Sequence, residues 1–174
     1  MTKNYLIEKK IDYAQSNLKY GWCKKNFNII GDYILCFKGS YFSQQLQKEC
    51  EKTGFPFKFE QMIHFIVEHK RIGFREMEIR KRLLLEFIAT YLGRNFYVEH
   101  SILFFKGKQL TLSFSNSNLR SSMFHLSFFW QESELDPEIV SLDQFDVDYR
   151  EFAIAMMQKY CFEINQINEL SLKT

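Results

Sequence analysis

Residues 107–130 read GKQLTLSFSNSNLRSSMFHLSFFW. Two runs of aliphatic and aromatic residues, 109–114 and 122–130, enclose a middle made almost wholly of hydroxyls and amides. Ser113, Ser115, Asn116, Ser117, Asn118, Ser121 and Ser122 lie there, with Arg120 among them. Strand-forming residues on either side of turn formers predict two strands joined by a polar loop. The polar middle has two readings. Its side chains satisfy backbone groups of the turn, or they converge as donors on a small ligand. His125 stands between Phe124 and Leu126, so whether it faces core or pocket depends on which alternate set points inward.

Working upstream, residues 95–101 and 102–105 read as strands, and Lys106-Gly107-Lys108 turns into the hairpin. The spacing of Met77, Leu84, Leu85, Ile88, Tyr91 and Leu92 predicts a helix over 74–92, stopped by Gly93. Glu78, Arg82 and Glu86 are spaced for ion pairs along its outer face. Residues 60–70, EQMIHFIVEHK, suit a helix, although their β-branched centre also permits a strand. As a helix they place Met62, Ile63, Phe65, Ile66 and His69 on an apolar side, with His64 and Glu68 exposed opposite. The two histidines, five residues apart, diverge by roughly 140° on an ideal helix, so no zinc pair and no metal site is expected. Residues 33–38, YILCFK, read as a strand between turns at Gly31-Asp32 and Gly39-Ser40, and Asp32 is either a turn residue or a pocket carboxylate. Residues 5–13 suggest another short strand. The polar segment 43–52, followed by Gly54 and Pro56, suggests a short helix.

Downstream lies an acidic loop, 131–136, ending in Pro137. A last helix opens at Asp148 with Glu151 three residues on, the spacing of a capping box. Phe152, Met156, Tyr160 and Ile167 give its buried stripe. Strands and helices come in mixed blocks rather than in regular alternation. The expected fold is therefore α+β, one domain over residues 1–174, its mixed and mainly antiparallel sheet packed by about three helices.

Composition narrows the function classes. Of 174 residues 46% are hydrophobic, with 19 Phe and 9 Tyr, which excludes a disordered chain and predicts a Phe-rich core. The formal net charge of +2 gives no general reason to bind nucleic acid. The basic run Lys70, Arg71, Arg75, Arg80, Lys81 and Arg82 is interleaved with glutamates and reads as a solvated helix face. No apolar run reaches the roughly 18–20 residues of a membrane span, so no membrane partner is expected. Cys23, Cys36, Cys50 and Cys161 lack CxxC spacing, and no signal peptide follows Met1, so a reduced cytoplasmic protein is expected, with Cys36 in the core. There is no glycine loop of either phosphate-cradling kind and no GxSxG elbow. The cofactor is unknown from sequence, and a homodimer is left open.

Several segments together carry a family resemblance. Asp12-Tyr13 with Leu18 and Trp22, Asn26 with Gly31-Asp32, and Phe37 with Gly39 begin it. Residues 62–69, MIHFIVEH, are its most specific block. Arg82-Leu83-Leu84, the hairpin from Gly107 through His125, and the stretch from Val140-Ser141-Leu142 to Ile167 complete it. The chain resembles the uncharacterised prokaryotic family called domain of unknown function 366, itself similar to the biotin and lipoate protein ligases. The resemblance implies their α+β fold, of the class II aminoacyl-tRNA synthetase and biotin synthetase type. Those ligases activate a carboxylate with ATP and pass the acyl group to a lysine. Where they carry a lysine in a Gly-Arg-Lys-Leu-like turn, this chain has Gly107-Lys108-Gln109-Leu110.

Two readings of function follow. In the first, an enzyme or binding protein holds a small carboxylated or heterocyclic molecule in a pocket. His64, Glu68 and His125 are its catalytic candidates, and Asp32, Lys108, Ser113, Ser121 and Ser122 its ligand-binding ones. In the second, a non-catalytic interaction domain has kept the fold. Convergence of these polar groups on one concave site favours the first. Their dispersal, with an exposed Phe/Tyr patch, favours the second.

Overall fold

The computed structural model describes residues 1–43, 58–131 and 138–171. The short helix expected after Ser43, the acidic loop before Pro137 and Cys50 lie outside those residues. Two sheets and three α-helices form the described architecture. The main sheet holds six strands, ordered β1 (Lys3–Ile7), β3 (Tyr33–Phe42), β4 (Lys58–Lys70), β9 (Ser121–Phe129) and β8 (Thr111–Ser117), with β2 (Tyr13–Ala14) also pairing with β3. β1 and β2 run parallel to β3, and the other pairs are antiparallel. A smaller sheet joins β5 (Phe96–Glu99), β6 (Ile102–Phe105) and β7 (Lys108–Gln109). The α+β expectation and the mainly antiparallel sheet are both realised.

Residues 60–70 are the main correction. They form most of β4, a central strand, not a helix. Ile63, Ile66 and Val67 are β-branched, and β4 is buried on both sides from Met62 to His69. Period two replaces period 3.6. Met62, His64, Ile66 and Glu68 line one face, while Ile63, Phe65, Val67 and His69 line the other. His64 and Glu68 do share a side, but they are buried rather than exposed, at 0% and 5% accessibility.

The odd-numbered face of β4 meets the helices. α2 (Phe74–Leu92) packs on β8 and β9, α3 (Tyr149–Ser171) on β1 and β3, and the two helices pack on each other. Phe65, Phe128 and Phe152 meet edge to face at this layer. α2 ends at Gly93 as its sequence predicts, burying Met77, Leu84, Leu85 and Ile88 while Tyr91 stays exposed. Its basic residues are not all solvated. Arg80 and Lys81 are buried, Arg80 paired with Glu76 and Asn168, Lys81 with Glu78 at 2.9 Å and Ser115 at 3.0 Å. The α3 cap forms as expected, the Glu151 N–H donating to Asp148 Oδ1 at 2.8 Å. Ile164, not the exposed Ile167, completes its buried stripe.

The opposite face is covered by the N-terminal segment, including β2, a 3-10 turn (Gln15–Asn17) and α1 (Trp22–Phe27). Its backbone comes very close to β3. The Ile11 N–H donates to the Lys38 carbonyl at 3.0 Å, and a Cβ at Gly39 would fall 1.7 Å from the Ile11 carbonyl oxygen. Only glycine permits that approach. At the start of the chain the Thr2 N–H donates to Asn165 Oδ1 of α3 at 2.7 Å, and the same amide donates back to the Thr2 carbonyl at 3.3 Å.

Candidate functional site

The N-terminal side of the sheet carries the histidines. Strand pairing sets His64 beside Ser127 and His125 beside Ile66, so the two imidazoles lie diagonally on one face. His64 Nδ1 and His125 Nε2 are 2.9 Å apart, and both side chains are fully buried. Aromatic rings surround them. Phe37 stacks on His64, Tyr41 and Phe114 stack on His125, and Tyr13 lies over both, with centroids 4.6 Å from His125 and 5.5 Å from His64.

The hydrogen bonds assign the tautomers. His64 Nε2 faces the Gly39 carbonyl at 3.4 Å, which only accepts, so that nitrogen carries the proton. His64 Nδ1 then accepts from His125 Nε2–H, and His125 Nδ1 is left as a bare acceptor. Among the described residues it has no partner, nor have the buried Tyr13 hydroxyl and Ser127 Oγ. Burial drives His64 down to about 3 despite hydrogen bonds to the Gly39 and Ser40 backbone, which pull it up. Burial and the neighbouring His64 hold His125 well below its ordinary value. Both rings are therefore neutral near pH 7.

Two further polar groups sit toward the end of β4. Tyr33 donates to Glu68 Oε2 at 2.6 Å, on the histidine face. Glu68 lies four residues from His64, roughly 13 Å along the strand, so it makes a separate cluster. On the helix face, Asp32 Oδ2 accepts from His69 Nδ1 at 3.3 Å, and His69 Nε2 accepts from Tyr160 at 2.9 Å. Burial would raise the Asp32 carboxyl, but the bonds from His69 and the Lys70 N–H outweigh it and hold it below the usual carboxylate range. Burial lowers His69, so the pair is a carboxylate and a neutral ring.

The hairpin hydroxyls are largely engaged by the protein. Ser113 donates to the Ser101 carbonyl, Ser122 donates to the Ile72 carbonyl and bonds Ser117, and Asn118 Oδ1 accepts the N–H groups of Arg120 and Ser121. Ser121 Oγ is buried without a partner among the described residues. Lys108 is exposed on β7, in the smaller sheet, apart from the histidines. Among the described residues no group of three or more His, Cys, Asp or Glu is arranged to hold a metal ion. Cys23, Cys36 and Cys161 are buried free thiols, and burial pushes Cys23 up to about 12. The structure thus unites His64 with His125, and sets Glu68, Asp32, Lys108 and Ser113 elsewhere. Tyr13, Ser127 and Tyr33 are not among the site residues expected from sequence, although Tyr13 stands in the block that opens the family resemblance. Ser127 had a readable signal, since it lies two residues from His125 in an otherwise apolar strand.

A mainly antiparallel sheet with two long helices on one face gives an α+β fold of the biotin/lipoate protein ligase-like type. Solved structures agree. A protein of unknown function from Pyrococcus horikoshi matches with a TM-score of 0.85 at 20% identity, covering 100% of this chain and 98% of that one. The T. acidophilum protein Ta0514, a lipoate protein ligase candidate with bound lipoic acid, matches with a TM-score of 0.60 at 9% identity, covering 92% and 86%. A biotin acetyl coenzyme A carboxylase synthetase from Helicobacter pylori, with bound biotinylated ATP, gives 0.59 at 8%, covering 94% and 75%. At these identities the likeness is one of fold. No curated protein matches the chain by sequence. The chain itself belongs to the family described as Domain of unknown function (DUF366), whose profile it matches over residues 2–174.

Proposed function

We propose that this protein binds an uncharged, flat heterocyclic molecule on the N-terminal side of its main sheet, with His125 as the group that orients it. One observation carries the reading. Three buried polar atoms without partners, His125 Nδ1, the Tyr13 hydroxyl and Ser127 Oγ, share one aromatic-walled face. Leaving such groups unpaired costs about 1–3 kcal/mol each, a cost that a ligand with matching N–H or O–H groups removes. The assigned tautomers make His125 Nδ1 an acceptor, so the ligand presents a donor there. Phe37, Tyr41 and Phe114 stack on the two histidines and fix the orientation of their rings.

The low proton affinity of both rings favours binding over proton transfer, because a general base works best near the operating pH. A carboxylate is the weaker ligand here, since both histidines are neutral and offer it no charge. Ligase chemistry is weaker still, because the Gly107 turn carries Gln109 where the ligases have lysine, and Gln109 Nε2 is spent on the Thr111 carbonyl.

A thermal-shift screen against purines and pterins, with biotin, lipoate and octanoate as acyl acids, each with and without ATP and magnesium, tests this. A heterocycle at about 100 times its dissociation constant should add about 2.7 kcal/mol, a shift on the order of 5–10 °C. The same heterocycle should give no shift with His125→Phe. A shift given only by an acyl acid with ATP would replace this reading with a ligase, and no shift at all would leave an interaction domain.

A further inference from the structure

Glu68 opens on a second site. It lies with Tyr33 at the base of a shallow, solvent-open cleft lined also by Tyr20, Lys24, Ile30 and Lys70. Glu68 is 5% exposed, so its carboxylate forms the floor. The Tyr33 hydroxyl donates to Oε2. Among the described residues no donor meets Oε1. Lys24 and Lys70 are exposed at the rim. Arg120 joins that end of the sheet, its guanidinium 5.5 Å above the Tyr20 ring. Ser121, the strand partner of Lys70, has a buried hydroxyl at the same end with no partner among the described residues. The cleft therefore has one buried negative charge at its base and positive charges around its mouth. Tyr20 and Ile30, both substantially exposed, form apolar walls.

We propose that this cleft binds a small zwitterion, with its ammonium group on Glu68 and its anionic end on Lys24 and Lys70. An ammonium offers three donors and no acceptor, which suits a carboxylate oxygen left bare. A simple anion would meet the rim but be repelled by Glu68. A simple amine would meet Glu68 and be repelled by the rim. Only a molecule with both ends uses both.

NMR titration of the full chain with ω-amino acids, from glycine to 6-aminohexanoate, tests the pairing and measures the span from floor to rim. One member of the series should shift the amide signals of Tyr33, Glu68 and Lys70 at millimolar concentration. The alkylamine and the carboxylic acid of equal length should bind at least about tenfold more weakly. Glu68→Gln should abolish the response. Should that variant fail to fold, Lys24→Ala with Lys70→Ala, both at exposed positions, should erase the preference for the zwitterion over the amine. Failure of every series member to bind, or equal binding of zwitterion and amine, overturns the proposal. Because this site stands apart from the histidine pair, His125→Phe should leave the response intact, so the two readings fail separately.

Discussion

At the scale of single residues, the buried histidines make stability depend on pH in a defined sense. His64 has an ordinary value of 6.5 and a folded value of about 3. Between those values the unfolded chain binds a proton that the folded protein refuses, so stability is complete above 6.5 and falls as the pH drops. At pH 5 the loss from His64 alone is roughly 2 kcal/mol. His125 and His69, also held low, add to the same slope. Asp32 acts in a different window. Its carboxyl is depressed, so its contribution persists above 3.8 and is lost only as the pH falls through its lower folded value. Urea midpoints between pH 7 and pH 5 should therefore fall for the natural protein and fall less for His64→Gln. Equal slopes would mean that His64 takes up its proton in the folded state. None of this was legible in the chain. His64 and His125 are 61 residues apart, and only strand pairing places one ring on the other. Sequence could nominate both histidines for one pocket but not their direct contact.

Elements tell a more mixed story. The helix over 74–92 and the cap of the last helix were legible because caps and apolar stripes are local chemistry. β4 was not. A central strand buried on both sides loses the polar alternation that identifies a strand, and its 13 residues approach the length of a helix. Misreading that one period made His64 and Glu68 look solvent-exposed. β3 offers the sharpest test at this scale. Gly39 admits the Ile11 backbone, and its carbonyl fixes the His64 tautomer. Gly39→Ala should lift the N-terminal segment off the sheet and cost about 1–3 kcal/mol or more, the range of an overpacked core. Chemical denaturation would measure that loss. An NMR shift of the His64 ring signals should accompany it, since the acceptor for its Nε2–H moves too. A fully stable Gly39→Ala protein with unaltered His64 signals would contradict the close approach.

For the whole molecule, the order of blocks and the wealth of aromatics were enough to indicate an α+β protein with a Phe-rich core. The strand order β1-β3-β4-β9-β8 was not readable, because it joins segments far apart in the chain. The division of labour between the faces follows from that order. Phe65, Phe128 and Phe152 meet at the helix layer, while His64, His125 and Glu68 face the N-terminal segment. That segment is secured at its beginning by the pair of hydrogen bonds between Thr2 and Asn165, which bridges 163 positions. So distant a closure is entropically late, since the intervening chain gains nothing from it until β1 and α3 have both formed. The Thr2 amide thus becomes a built-in clock. In heavy water its proton should persist as long as those of central β4, exchanging only when the first strand and the last helix part. Rapid exchange at Thr2 beside slow exchange in β4 would reveal an edge that opens by itself, giving small molecules a route beneath the segment.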